Sequence, residues 1–203
     1  MMTHLYAITD SVLLPDEKLF SGVDAALKGG CKFVQYRDKS KDHNQRVFEA
    51  KNLLTLCKKY QAQLIINDDV ALAQEIGAHG VHLGQGDTNP VAARIILGSS
   101  AIIGVTCHDS LNLAQQAIKD TANYIAFGRF FSSNTKPDAR PAPLRLLAEA
   151  KTKFPNTMIA AIGGITTENA KNVLDAGADL IAVCHSLFAA DDIEAQAKLF
   201  ENL

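Results

Sequence analysis

Eight short apolar runs recur along this 203-residue chain, and between them the sequence switches to an amphipathic, helical pattern. The runs are LYAIT (5–9), FVQYR (33–37), LIIN (64–67), GVHL (80–83), AIIGVT (101–106), YIAFG (124–128), MIAAIGG (158–164) and LIAVC (180–184). Each is short and nearly continuous in apolar character, which is how strands covered on both faces read, as in a parallel sheet. The amphipathic stretches fall at 18–28, 44–60, 70–76, 91–97, 111–119, 144–153, 167–176 and 193–201. Gly29-Gly30, Gly77, Gly98 and Gly177 stand where four of them should stop. Thr166 or Thr167 reads as the N-cap of the seventh stretch, and Asp68 or Asp69 as that of the third. Eight strand–helix pairs predict a (β/α)8 TIM barrel, a single domain over residues 1–203 near the lower size limit of that fold. A doubly wound open sheet is the alternative, but it usually opens on a Gly-rich turn, and TDSVLLPDE (9–17) contains no GxGxxG.

The net charge of −2 and the lack of a basic run argue against nucleic acid as a partner. MMTHLYAITD has no basic segment leading into a long apolar one, so no signal peptide is expected. No apolar run approaches the ~18 residues of a membrane span. Cys31, Cys57, Cys107 and Cys184 are scattered singly and read as free thiols of a cytoplasmic protein. The expected partners are small molecules.

In such a barrel, catalytic groups sit where strands end and helices begin. The second run ends in Gln35-Tyr36-Arg37-Asp38-Lys39, and strand alternation puts Gln35, Arg37 and Lys39 on one side. Gln and Arg inside a barrel are costly without a ligand, although a solvated helix start is the plainer alternative. Asn67 and Asp68 end the third run; His82, Gln85 and Asp87 follow the fourth. Neighbouring strands should bring Asp68 and Asp87 together, where two carboxylates repel unless a cation lies between them. Mg²⁺ suits that place, since it takes one or two protein carboxylates plus substrate phosphate oxygens. Capping by Asp68 and a turn at Asp87 would account for either residue alone.

The sixth run leads into FGRFFSSNTKPDA (127–139), where Ser133, Thr135 and Lys136 offer the hydroxyls and ammonium that bind phosphate. The seventh ends at Gly163-Gly164, where the backbone can approach an anion ahead of a helix N-terminus. The eighth ends in Cys184-His185-Ser186. The residues thus suggest two anion sites. Arg37, Lys39 and Lys136, with a metal on Asp68 and Asp87, would suit a pyrophosphate. Gly163, Gly164, Ser133, Thr135 and the eighth-strand loop would suit a single phosphate. A barrel holding such a pair could transfer a group from one substrate to the other as diphosphate leaves. Strand alternation turns Cys184 from His185, and His79 from His82, so neither pair reads as a nucleophile dyad or a metal site.

In order, LYAITD, VQYRDK, LIINDD, GVHLGQGD, IIGVTCHD, YIAFGRFFSSNTKPDA, AIGGI and GADLIAV resemble the thiamine phosphate synthase family over almost the whole chain. The resemblance implies a (β/α)8 barrel that joins hydroxymethylpyrimidine diphosphate to thiazole phosphate, with Mg²⁺ as cofactor and diphosphate released by dissociative substitution. It implies that Gln35, Tyr36, Arg37, Asp38, Lys39, Asn67, Thr106 and Lys136 meet the pyrimidine diphosphate. Among these, Arg37, Lys39, Thr106 and Lys136 would be catalytic, and Asp68 and Asp87 would hold the metal. Ser133, Asn134, Thr135, Gly163, Gly164, Cys184 and His185 would take the thiazole phosphate. Three departures stand out: Ser132-Ser133 replaces the family's Pro-Thr, Arg129 its Pro or His, and Cys184-His185 its Ile-Ser. Thr106 also stands where Ser is commoner. A thiazole tautomerase or a non-catalytic phosphate sensor would have little use for Lys39, Asn67, Asp68, Asp87 and Lys136 together. None of the eight runs contains the lysine an aldolase-like barrel would need.

Overall fold

The computed structural model describes residues 3–40, 42–131 and 142–203, and every apolar run forms a strand in it. β1 (Leu5–Ile8), β2 (Phe33–Tyr36), β3 (Gln63–Asn67), β4 (Gly80–Leu83), β5 (Ile102–His108), β6 (Tyr124–Gly128), β7 (Met158–Ile162) and β8 (Leu180–Val183) close in chain order into one parallel barrel. β8 returns to pair with β1, which excludes the open sheet. The helices around it are α1 (Glu17–Lys28), α2 (His43–Lys59), α3 (Val70–Ile76), α4 (Pro90–Leu97), α5 (Leu111–Lys119), α6 (Arg145–Lys153), α7 (Ala170–Asp175), α8 (His185–Phe188) and α9 (Ile193–Glu201).

Two of these differ from the sequence expectation. α7 begins at Ala170, and neither Thr166 nor Thr167 caps it. Instead the Asn169 side chain accepts from the Thr166 N–H and donates to the Gly164 carbonyl, a turn that delays the helix. The one-turn helix α8, unforeseen, places His185 at a helix start rather than on a strand. Elsewhere the caps are conventional: Asp42, Asp69, Asn89, Ser110 and Asp192 each accept from a backbone N–H in the first turn of α2, α3, α4, α5 and α9.

Strand alternation splits the interior into two layers. Outward side chains pack with the helices in one large cluster. Inward ones form a smaller cluster of Tyr6, Ile8, Ile65, Tyr124, Ala126, Ala160, Leu180 and Ala182. Asn67, His82, Gly104 and Tyr124 stand side by side in register across β3 to β6. Gly104 is the gap in that row. A Cβ there would lie 1.9 Å from Tyr124 Cζ, so the Tyr124 ring passes over β5 to stack on His82, centroids 5.5 Å apart.

At the opposite end, strand starts are fastened by side-chain acceptors. His79 Nδ1, Asn123 Oδ1 and Asp179 Oδ2 accept from the N–H groups of Leu64, Ile103 and Ile159, at the heads of β3, β5 and β7. Each acceptor directly precedes the next strand. For β1 the corresponding residue is Lys32, which has no acceptor to offer, and the Glu201 carboxylate of α9 takes the N–H groups of His4 and Leu5 instead. Arg94 adds hydrogen bonds to the carbonyls of Gly98, Ser99, Ala101 and Thr121 and to Asn123 Oδ1, joining two of these loops.

Gly104→Ala should destabilise the fold by on the order of 1–3 kcal/mol in urea unfolding, because the added methyl overpacks a closed interior. Unchanged stability would mean that Tyr124 does not need the gap.

Candidate active site

The C-terminal ends of β2, β3, β4 and β5 bring most of the expected polar residues to one mouth. Two consecutive aspartates after β3 divide their tasks there. Asp69 caps α3 through the Leu72 N–H and holds Arg46 of α2 at 2.5 Å. Asp68, relieved of capping, lies at φ 63°, a left-handed conformation that costs a non-glycine residue energy. Its N–H donates to the His82 carbonyl at 2.8 Å, and its carboxylate accepts from Lys39 Nζ at 2.5 Å.

Asp87, beyond β4, does make the expected turn by accepting from the Gly84 N–H at 2.7 Å. Its carboxyl also comes within hydrogen-bonding reach of Asp68. Burial pushes Asp68 upward, but the hydrogen bonds from Lys39 and Asp87 outweigh it and hold its pKa below the usual carboxylate range. For Asp87, burial raises the pKa, the Gly84 N–H works against it, and the Asp68 charge leaves it high. Carboxylates that act on each other in this way are relieved by a shared proton or cation. Two acidic oxygen donors opening on solvent and substrate are the protein share that Mg²⁺ usually takes, so this donor set fits the metal.

The β2 segment divides by side. Arg37 reaches Asp10, 3.8 Å away, and its N–H donates to Thr9 Oγ1. Gln35 sits deeper than expected: it is buried inside the barrel, and its amide donates to Tyr6 Oη at 2.7 Å. Tyr36, expected at the substrate, turns outward instead and donates to Glu49 Oε2 of α2 at 2.6 Å. Alternation at β2 requires this, since Tyr36 lies between two inward residues. Asp38 accepts from both the N–H and the hydroxyl of Ser40. A cleft of about 660 Å³ opens beside Lys39, Asn67 and Asp68 and runs past Arg46 and Thr88.

Thr106 faces the mouth from β5, its Oγ1 2.8 Å from His82 Nε2. Gln85 Nε2 donates to the Thr106 carbonyl at 2.5 Å. Burial pushes the His82 imidazole down to about 4, so it is neutral at ordinary pH. Its other nitrogen lies 2.8 Å from Tyr124 Oη. Sequence reasoning missed Tyr6, Tyr124 and Asp10. The two tyrosines carry the same alternation signal that selected Gln35, each being on the inward side of its strand.

Gly163 and Gly164 lie at the mouth end of β7 with φ 105° and 66°. A Cβ on Gly163 would meet Arg129 Cβ at 2.3 Å, so this glycine is needed for the approach of the β6 end. The anticipated helix N-terminus does not follow directly, because the turn tied by Asn169 intervenes. Cys184 packs against the inner cluster, and burial pushes its thiol up to about 11, unlike a nucleophile. All four cysteines are free. His185 is exposed on α8. Ser133, Asn134, Thr135 and Lys136 lie outside the described residues.

Comparison with known proteins identifies relatives along almost the whole chain. The family described as thiamine monophosphate synthase matches residues 5–187. A thiamine-phosphate synthase from Saccharophagus degradans is 54% identical, over 98% of this chain and 92% of that one. One from Marinobacter nauticus is 53% identical, over 98% and 89%. A solved thiamine phosphate pyrophosphorylase from Pyrococcus furiosus superposes with a TM-score of 0.89 at 32% identity, covering 99% of this chain and 95% of that one.

The split between the aspartates is testable by unfolding. Asp69→Ala should lose about 1–2 kcal/mol with its cap, whereas Asp68→Gly, freed of backbone cost at φ 63°, should be at least as stable as the parent. Equal losses would refute the division. Stability should also respond to His82. Its folded pKa of about 4 is depressed from an unfolded value near 6.5, so its contribution is complete above that value and fades as pH falls toward 4. Between pH 7.5 and pH 5 this amounts to roughly 2 kcal/mol. Urea titrations of the parent and His82→Asn should differ by that much in pH dependence.

Proposed function

The chain belongs to the thiamine monophosphate synthase family, and we propose how its barrel mouth performs the family's reaction. That reaction joins 4-amino-2-methyl-5-(diphosphooxymethyl)pyrimidine to 4-methyl-5-(2-phosphoethyl)thiazole, giving thiamine phosphate and diphosphate. The observation that carries the assignment of roles is the Asp68–Asp87 pair under Lys39, with the neighbouring Asp69 absorbing the helix-capping duty.

In this reading Lys39 and Arg37 receive the diphosphate, assisted by Lys136. Both described cations already lean on carboxylates, Lys39 on Asp68 and Arg37 on Asp10, and so are held at the mouth before substrate arrives. Such preorganised charge is often the largest catalytic term, because it acts where charge develops. Asp68 and Asp87 hold Mg²⁺, which when bound supplies further positive charge to the leaving diphosphate. Asn67 and the Thr106 hydroxyl orient the pyrimidine, and Gly163 and Gly164 with residues 133–135 and the β8 end take the thiazole phosphate. The pyrimidine CH₂–O bond breaks with its electron pair going to diphosphate, and the thiazole nitrogen lone pair then forms the new C–N bond. No side-chain nucleophile takes part. Neutral His82 and the protonated Cys184 are consistent with that.

The test is diphosphate release and thiamine phosphate formation by purified protein with both substrates, with and without Mg²⁺. Product should depend on Mg²⁺ and fall by roughly 10²-fold or more in Asp68→Ala and Lys39→Ala. Retained thiazole phosphate binding with no product under any condition would turn the reading toward a tautomerase or a sensor.

A further inference from the structure

Inside the barrel a line of hydrogen-bonding groups crosses from β2 to β5 and surfaces at the mouth. Gln35 Nε2 is 2.7 Å from Tyr6 Oη, Tyr6 Oη 2.7 Å from Tyr124 Oη, Tyr124 Oη 2.8 Å from His82 Nδ1, and His82 Nε2 2.8 Å from Thr106 Oγ1. The first four residues are only 3, 1, 1 and 9% exposed, so these groups must satisfy one another rather than turn to bulk water.

The line has a direction. An amide nitrogen only donates, so Tyr6 Oη accepts from Gln35 and sends its own proton to Tyr124 Oη. Tyr124, having accepted, gives its proton to His82 Nδ1. A neutral imidazole that accepts at Nδ1 carries its proton on Nε2 and donates it to Thr106 Oγ1. The Thr106 proton is then left to point away from His82, toward the mouth. With the line reversed, Gln35 would have to turn its amide and offer Oε1, so the direction follows from Nε2 standing opposite Tyr6 Oη. Because Nδ1 accepts from Tyr124, the imidazole in the line carries a single proton, so the line transmits orientation and not charge.

We propose that Tyr124 is a positioning residue for the pyrimidine substrate: by donating to His82 Nδ1 it selects the imidazole tautomer that makes the Thr106 hydroxyl a hydrogen-bond donor at the mouth. This rests on the reading above in which Thr106 meets the pyrimidine. It adds the polarity of that contact, since the substrate atom opposite Thr106 must be an acceptor such as a ring nitrogen and not the exocyclic amino group. Gly104, which clears the path of the Tyr124 ring, belongs to the same device.

Two measurements on the full-length protein test it. With ¹⁵N-histidine, two-bond ¹H–¹⁵N correlation should show His82 protonated at Nε2 and bare at Nδ1; a proton on Nδ1 in the parent overturns the proposal, whatever the variants do. Tyr124→Phe should put a substantial fraction of His82 into the other tautomer. It should also raise KM for the pyrimidine diphosphate roughly 3- to 10-fold, the worth of one oriented hydrogen bond, with KM for the thiazole phosphate unchanged. Tyr6→Phe deletes a hydroxyl equally buried in the same line but leaves His82 Nδ1 as the acceptor the line still offers the Tyr124 proton, so the tautomer and both KM values should stay within about twofold even if stability falls. Equal kinetic losses in the two variants would reduce the line to packing and overturn the proposal. Thr106→Val separates the premise. An unchanged pyrimidine KM there sinks the contact itself, while the parent's spectrum still decides the direction of the line.

Discussion

A closed ring of eight strands encloses a space shut off from water, and any polar group directed into it must find its partner inside. Gln35, Tyr6, Tyr124 and His82 all point inward in this chain, and the only way to satisfy them is to join them. That requirement reaches outward through the rest of the interior. It demands Gly104 in the row between His82 and Tyr124, and it excludes charge from His82. It also delivers the free end of the line to Thr106, at the mouth where the strands end.

The mouth obeys a different economy. Its charged groups are held in pairs that remain half-exposed, Lys39 with Asp68 and Arg37 with Asp10. Exposed pairs of this kind contribute little to stability, so their arrangement is free to serve binding. Of the two aspartates after β3, Asp68 bears the backbone cost, while Asp69 next to it makes the stabilising cap and its contact with Arg46. Placing the two duties on adjacent residues lets the strained one face substrate without loosening α3.

The barrel was legible because its strands are buried on both faces, and that leaves continuous apolar runs in any such sequence. The loops were less so. The Asp68–Asp87 encounter followed from adjacent strands, but Asp69 as the cap could not be told from Asp68, since the two residue types are identical and only the backbone conformation separates them. Tyr36 was expected at the substrate because the motif around it was read as a block, whereas alternation at β2 turns its side chain toward α2. The late start of α7 was hidden because Asn169 builds its turn through side-chain bonds, and no periodicity announces those. The inner tyrosines were visible in principle, yet two aromatic residues within apolar strands look like ordinary core until their hydroxyls are followed.

The base of the barrel keeps a regularity that the residue types conceal. His79, Asn123, Asp179 and Glu201 share little as side chains, but each fastens the head of an odd-numbered strand, and the first three do so from the position just before the next even one. Seen from below, three two-strand units repeat one fastening, and the unit of β1 and β2 takes its own from α9. Seen from above, no two units carry the same groups. Fastening at this rim therefore depends on where an acceptor stands and little on which side chain carries it, whereas the mouth depends on both.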